Sequence, residues 1–325
     1  MILEIVLIIV GLAVVLWGAD RFTDGACALA RSLKVSELVI GLTVVSLGTS
    51  LPEFMVSFMS LLRDSSDMSV GNVMGSNIFN VLVIIGASAI MRNINVEKSL
   101  LYRDIPLCLL VSVLLYLFAV TEGFIARWEG MVLATLFCCY LYMAYRIALK
   151  DRRGQTSSSP SAKGENTDAA AEVPAWKIVL LIVVGIAALV VGGRVLVDNA
   201  AAVAREWGIS ESVIGMTILA GGTSLPELAT SVVAARKGSF GLALGNVLGS
   251  NIFNIAFVIG FCSSVVPMAV TQIRPEDWAM LIGSPVLVWL TGFTSRKFSR
   301  WEGILLVTCY VAYLIWLCGF SQTVS

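Results

Sequence analysis

The chain contains no histidine, and only 14% of its 325 residues are charged. The missing histidine removes the side chain most often used to carry protons near neutral pH. The scarcity of charge excludes a soluble domain, which would need far more polar surface to stay dissolved. Lysine plus arginine equals aspartate plus glutamate at 22 each, so net charge gives no reason to expect a nucleic-acid partner. The seven cysteines (Cys27, Cys108, Cys138, Cys139, Cys262, Cys309 and Cys318) sit mostly in apolar stretches without metal-type spacing. They read as small apolar filler, not as disulfides or zinc ligands. The chain also lacks a nucleophile motif and a cofactor fingerprint, which speaks against an enzyme and against a bound cofactor. The first apolar stretch carries an acidic Glu4 instead of the basic start of a signal peptide, so it reads as a retained first span.

What is present is apolar length. Hydrophobic residues make up 58% of the chain and the mean hydropathy is +0.89. Long apolar stretches recur, among them 2–17, 107–120, 178–191 and 303–318. A stretch of ~20 apolar residues crosses the hydrocarbon core as a helix, and the chain has room for about ten. The fold class is an all-α polytopic membrane protein surrounded by lipid. The expected spans are 2–19, 38–62, 70–91, 104–120 and 129–148, then 176–197, 212–235, 244–266, 278–293 and 302–319.

One low-complexity segment, Asp151 to Glu172, is too rich in Ser, Ala, Gly and charge to pack. It predicts a first five-helix repeat over 1–150, a polar linker over 151–173 and a second repeat over 174–325. The halves are copies. Ser36 through Glu53 aligns without a gap with Ser210 through Glu227, 174 residues later, and both end in Gly-Thr-Ser-Leu-Pro-Glu (48–53 and 222–227). At the same offset, 71–80 (Gly-Asn-Val-Met-Gly-Ser-Asn-Ile-Phe-Asn) matches 245–254 in nine of ten positions. Arg127-Trp128-Glu129-Gly130 recurs as Arg300-Trp301-Glu302-Gly303. Five spans per half is odd, so the second copy enters from the opposite face and the repeats are inverted. Basic residues set the orientation. Arg21, Arg31, Lys34, Arg92, Lys98, Arg103, the run from Arg146 to Lys163, Arg236, Lys237, Arg296, Lys297 and Arg300 fall on one side. Only Arg63, Arg127, Arg194, Arg205 and Arg274 fall on the other. The termini are therefore expected outside, and the linker in the cytoplasm, of a cell (plasma or inner) membrane.

The repeated motifs carry the chemistry. Proline inside a helix removes a backbone donor and clashes with the carbonyl four residues earlier, which belongs to Gly48 for Pro52 and to Gly222 for Pro226. Carbonyls freed in this way inside a bilayer must find a cation or cavity water. The hydroxyls of Thr49, Ser50, Thr223 and Ser224 add neutral oxygens beside each break. Glu53 and Glu227 follow the prolines, and a carboxylate at such depth costs at least ~2.5–3.5 kcal/mol on insertion scales. In the second motif, Ser76 and Asn80 are four apart and share a helical face, as do Ser250 and Asn254. Gly71 and Gly75, like Gly245 and Gly249, form a small-xxx-small pair for close helix approach. A kink alone is ordinary helix packing, and one buried acid can be structural; the same acid after the same kink in both halves points to an ion site. Asn72, Asn77, Asn246 and Asn251 lie off the Ser/Asn face and read as interhelical hydrogen-bonding residues. Asp24 and Asp198 lie near span ends and read as cap or interfacial residues. An oxygen-only set with two carboxylates suits a hard cation such as Ca²⁺, and Na⁺ can use the same oxygens.

These paired motifs resemble the two alpha-repeats of the cation/calcium exchanger superfamily, nearest to its bacterial and archaeal calcium/sodium antiporters, which are related to the potassium-dependent exchangers. The resemblance covers nearly the whole chain and implies ten spans in a sodium/calcium exchanger-like fold. It places metal ligands at Glu53, Glu227, Thr49, Ser50, Thr223, Ser224, Ser76, Asn80, Ser250 and Asn254. Several relatives carry aspartate where this chain has Asn254, which leaves two acids in the cluster instead of three. The implied activity is secondary active antiport of Ca²⁺ against Na⁺ by alternating access, in a monomeric transport unit, with the first and sixth spans sliding past a four-helix core. Alternatives are a Ca²⁺/H⁺ antiporter using the same glutamates and, in a different class, a cation channel. K⁺ is a further candidate ion.

Overall fold

The computed structural model describes residues 2–63, 65–157, 173–208, 218 and 220–321. Helix α1 (Ile2–Leu33) is unbroken. A second span follows in two pieces, α2 (Glu37–Thr49) and α3 (Leu51–Leu62), bent by 45° across Ser50. Next come α4 (Ser66–Met91) and α5 (Leu100–Glu122), then α6 (Arg127–Ser157). The second half repeats the order with α7 (Ala175–Glu206), α8 (Ala220–Thr223) and α9 (Leu225–Lys237). It continues through α10 (Phe240–Val265), α11 (Pro275–Ser295) and α12 (Arg300–Ser321). Seven of these helices are long and apolar enough to cross a membrane, and the bent α2–α3 pair makes an eighth. The repeat-matched pieces α8–α9 and α11 complete the ten-helix layout. The start of the expected 212–235 span, and most of the 151–173 linker, lie outside the described residues.

Several helices outrun their expected ends. The 2–19 and 176–197 spans become helices of 32 residues each, about 48 Å at 1.5 Å per residue, against a hydrocarbon core of ~30 Å. Hydropathy marks where the lipid ends; the helix continues because charged residues such as Asp20 and Arg21 are compatible with it and form pairs. Asp24 and Asp198 therefore do not cap helix ends, one of the two roles expected of them, but lie inside α1 and α7. The cysteine reading holds for Cys27, Cys108 and Cys262, which are buried, whereas Cys138 and Cys139 are exposed on α6.

Four two-residue strands show the inversion. These are β1 (Ile94–Asn95), β2 (Phe124–Ile125), β3 (Met268–Ala269) and β4 (Lys297–Phe298). At the repeat offset of 174 β3 is the copy of β1, and at the offset of 173 that relates Arg127 to Arg300 β4 is the copy of β2. The pairs that form are β1 with β4 and β2 with β3, both antiparallel. Each pair thus joins opposite halves. The β1 and β4 connections lie on one side of the bundle, and their copies pair on the other.

Glycine contacts follow the same exchange. The last helix of each half lies on the third span of the other, α12 on α4 and α6 on α10. A methyl group placed on Gly303 would fall 2.6 Å from the Gly86 carbonyl oxygen, and one on Gly130 would fall 2.8 Å from the Gly260 carbonyl oxygen. Lipid gives helices no hydrophobic reason to associate, so such backbone-to-backbone packing holds them together. In Arg-Trp-Glu-Gly, the glycine provides the crossing. The glutamate caps the helix: Ala126 N–H donates to Glu129 at 2.8 Å, and Ser299 N–H to Glu302 at 2.6 Å. The small pairs of the second motif are not equivalent, contrary to expectation. Methyls on Gly245 and Gly249 would fall 2.7 Å from the Leu38 carbonyl oxygen and 2.6 Å from Ser46 Oγ. Among the described residues nothing lies within 4 Å of such a methyl on Gly75.

Gly303→Ala is expected to destabilise the protein by about 1–3 kcal/mol through overpacking. Gly283, with nothing among the described residues within 4 Å of an added methyl, is expected to accept alanine with no loss. Thermal unfolding in detergent compares the two; equal midpoints would contradict the packing account.

Candidate ion site

Both helix breaks have the same local geometry. Ser50 sits at φ −88°, ψ 9° and Ser224 at φ −89°, ψ 8°, between helix pieces that each restart with a proline in the first turn. Glu53 and Glu227 fall in that first turn, where the helix dipole favours a negative charge. Each carboxylate reaches across to the other half. Ser50 Oγ donates to Glu227 Oε1 at 2.8 Å, and Ser224 Oγ donates to Glu53 Oε1 at 2.9 Å. Ser76 Oγ adds a longer contact to Glu53 Oε1 at 3.5 Å and lies 3.5 Å from Thr223 Oγ1. Both glutamates are fully buried, and no lysine or arginine occurs among the buried polar and charged residues described.

The third and eighth spans provide the facing wall. Asn80 opens a π-helical turn over Asn80–Ile84, and Asn254 lies in another over Phe253–Ile259. Such single wide turns displace side chains from regular helical positions and recur at functional sites. A reciprocal amide network joins the two helices. Asn77 Nδ2 donates to the Asn251 carbonyl and Asn251 Nδ2 to the Asn77 carbonyl, each at 3.1 Å. The side-chain oxygens of the same pair accept from the site amides, Asn80 Nδ2 to Asn251 Oδ1 at 3.1 Å and Asn254 Nδ2 to Asn77 Oδ1 at 3.2 Å. With its NH₂ directed to the opposite asparagine, each site amide turns its oxygen the other way. Five buried oxygens from the two motifs consequently have no hydrogen-bond partner among the described residues: Glu53 Oε2, Glu227 Oε2, Asn80 Oδ1, Asn254 Oδ1 and Ser250 Oγ. Buried acceptors are rarely left unpaired, and a cluster of them with two carboxylates is chemically suited to a cation.

Hydrogen bonds thus join Ser50, Ser224 and Ser76 to the two glutamates, the turns that carry Asn80 and Asn254 pack on α9 and α3, and Ser250 makes no such bond among the described residues; the halves also differ in one respect. Thr49 Oγ1 donates to the Val45 carbonyl at 3.1 Å and to Asn246 Oδ1 at 3.0 Å, whereas its copy Thr223 lies near Ser76. The interhelical role expected of the four off-face asparagines is seen. Asn72 Nδ2 donates to Ser57 Oγ at 3.1 Å and Asn246 Nδ2 to Ser231 Oγ at 2.9 Å, tying each half-helix to the next span. What the sequence reading missed is that Asn77 and Asn251 also orient the site amides, and that Ser57 and Ser231 anchor the half-helices. Both serines are repeat-matched, four residues after each glutamate, and that spacing was the available signal.

Comparison with known proteins decides the family. The sequence matches the sodium/calcium exchanger protein family over residues 3–146 and 177–319. The chain belongs to that family. Among its relatives, the sodium/calcium exchanger MaX1 of Methanosarcina acetivorans is 31% identical over 95% of this chain and 97% of its own. The inner membrane protein YrbG of Escherichia coli K12 is 36% identical over 99% and 98%. A solved structure of the sodium-calcium exchanger NCX_Mj, soaked with Na⁺ and Ca²⁺, aligns with TM-score 0.80 at 32% identity, covering 97% of this chain and 98% of that one. The inverted ten-helix layout is the one shared with that exchanger, and the chain is a multi-pass membrane antiporter of the cation/calcium exchanger superfamily.

Asn251→Ala in this exchanger removes a donor to the Asn77 carbonyl and the acceptor for the Asn80 amide. Each buried group left unpaired costs ~1–3 kcal/mol. The expected result is a lower unfolding midpoint and ⁴⁵Ca²⁺ binding weakened by about tenfold or more, with Asn95→Ala, at the exposed residue of β1, unchanged. Wild-type affinity in Asn251→Ala would remove the orienting role.

Proposed function

We propose that the protein exchanges Ca²⁺ for Na⁺ across the cell membrane by alternating access, binding both at one set of oxygens. The observation that carries this reading is the cluster of buried, unpartnered oxygens around Glu53 and Glu227, with no basic residue among the buried groups described. Two carboxylates give a charge of minus two, which one Ca²⁺ neutralises. Ca²⁺ takes six to eight oxygens at ~2.3–2.6 Å. The proposed ligands are the carboxylates of Glu53 and Glu227, oxygens of Thr49, Ser50, Thr223 and Ser224 at the breaks, and Ser76, Asn80, Ser250 and Asn254 on the facing spans. Na⁺ occupies a subset of the same oxygens, so the two ions compete and exchange follows. The names and soaked ions of the relatives, Na⁺ and Ca²⁺ alike, favour this pairing over protons, as does the absence of histidine. The excess of arginine and lysine on the linker side supports termini outside and the 151–173 linker in the cytoplasm. Both repeats lie in one chain, so a monomer forms a complete transport unit.

The test is ⁴⁵Ca²⁺ uptake into proteoliposomes loaded with Na⁺, K⁺ or protons. Uptake is expected only with internal Na⁺, and Glu53→Gln or Glu227→Gln is expected to reduce it at least about tenfold, the loss of ~1.4 kcal/mol or more of ion binding. Normal exchange by both glutamine variants would sink the ligand assignment. Uptake that needs no counter-ion would sink antiport, and uptake driven by protons alone would replace Na⁺ as the partner ion.

A further inference from the structure

The halves match in sequence but differ in how they are closed. Helices α1 and α7 pack on each other through glycine. A methyl on Gly18 would fall 2.8 Å from Ala188 Cβ, and one on Gly11 3.0 Å from the Gly192 carbonyl oxygen. Helix α7 also passes both breaks. A methyl on Gly48 would fall 2.8 Å from Ile186 Cδ1, and one on Gly222 2.6 Å from Val197 Cγ2. Against the half-helices, however, the pair is lopsided. Helix α1 packs along α9, while the repeat-equivalent helices α7 and α3 make almost no contact. Ala229 and Val233 on α9 are buried, and their copies Met55 and Met59 on α3 are 53% and 43% exposed.

An ion cluster marks the closed side. Lys237, the last residue of α9, places Nζ 2.6 Å from Asp20 Oδ1 and 2.7 Å from Asp24 Oδ1 on α1, and Asp20 also pairs with Arg21 at 2.6 Å. At the repeat offset of 174, the copies of Lys237, Asp20 and Asp24 are Arg63, Arg194 and Asp198. The counterpart pairing is not made: Asp198 meets Arg194 within α7 at 3.6 Å, both largely exposed, and Arg63 is exposed at the end of α3.

We propose that Lys237 with Asp20 and Asp24, and Arg63 with Asp198, are two latches that alternate during transport, each holding one face shut while the other is open. In an inverted repeat the second state is the first with the roles of the halves exchanged. Helix α7 then covers the exposed Leu51, Met55, Met59 and Leu62 face of α3 and brings Asp198 to Arg63, as α1 releases α9 and Lys237. Partly exposed ion pairs suit this task, being weak enough to break in each cycle. The two are unequal. Lys237 sits between two aspartates, whereas Arg63 shares the single Asp198 with Arg194. The ion-free protein accordingly rests with the Lys237 face closed. The proposal rests on the exchanger reading above for its cargo but not for its geometry.

The test uses full-length chain with the native cysteines replaced and exchange retained, carrying Asp24→Cys with Lys237→Cys, or Arg63→Cys with Asp198→Cys. Bridging by a reducible bifunctional reagent is expected for the first pair at rest and for the second mainly during turnover. Either bridge is expected to slow exchange by about tenfold or more, reversed by reductant, while equilibrium ⁴⁵Ca²⁺ binding persists. Lys237→Glu is expected to increase bridging of the second pair at rest, and adding Asp24→Lys to reverse that increase. Exchange at the unbridged rate with the first pair fully bridged, or no bridging of the second pair under any gradient, would overturn the latches. Bridging as expected in a protein that never binds ⁴⁵Ca²⁺ upholds them and overturns the calcium reading instead.

Discussion

Two carboxylates lie in the interior of a membrane protein with no basic residue among the buried groups described, and the rest of the architecture answers to that constraint. An uncompensated charge at such depth is costly, so the surrounding groups must either lower the charge or hold it ready for a cation. Here each half does this for the other. The serine at one break binds the glutamate of the opposite half, so neither carboxylate is stabilised until both halves have folded together. The carboxylate oxygens left over, with those of the site amides, have no partner among the described residues, and these are the oxygens proposed above to hold the ion.

The amide network accounts for the composition of that cluster. Asn77 and Asn251 each accept from the site amide of the other half. An NH₂ at position 254 is therefore in use, and aspartate there would put a carboxylate oxygen against Asn77 Oδ1. The neutral residue at position 254 is thus part of a hydrogen-bonding scheme. It leaves the proposed site with two carboxylates, matched to one divalent ion.

Inverted repeats provide two equivalent arrangements of one chain, and this structure shows one of them. The contacts between halves at the centre are nearly symmetric, as in the serine–glutamate and asparagine–asparagine exchanges. The peripheral contacts are not: α1 covers α9 and α7 leaves α3 bare. A symmetric centre with an asymmetric periphery fits a binding site that stays in place while the flanking helices change sides. The extended lengths of α1 and α7 suit the alternation proposed above, since a helix longer than the hydrocarbon thickness can shift along its axis and still span.

Much of this was legible in the sequence. Apolar length fixed the class, because hydrocarbon tolerates only helices with internally paired backbones. The duplicated motifs located Glu53, Glu227 and the oxygens beside them, because proline, glycine and an acid inside a span each need a physical reason to be there. An odd number of spans per copy required inversion. What only the tertiary structure decided were relations between residues distant in sequence: which serine bonds which glutamate, what Asn77 and Asn251 hold in place, and where α1 continues past the lipid. Helix ends escaped because hydropathy reports the solvent while hydrogen bonds set the length. The difference between the Gly71/Gly75 and Gly245/Gly249 pairs escaped for a deeper reason. The two copies are alike as sequence, and the asymmetry belongs to the conformation of the assembled whole.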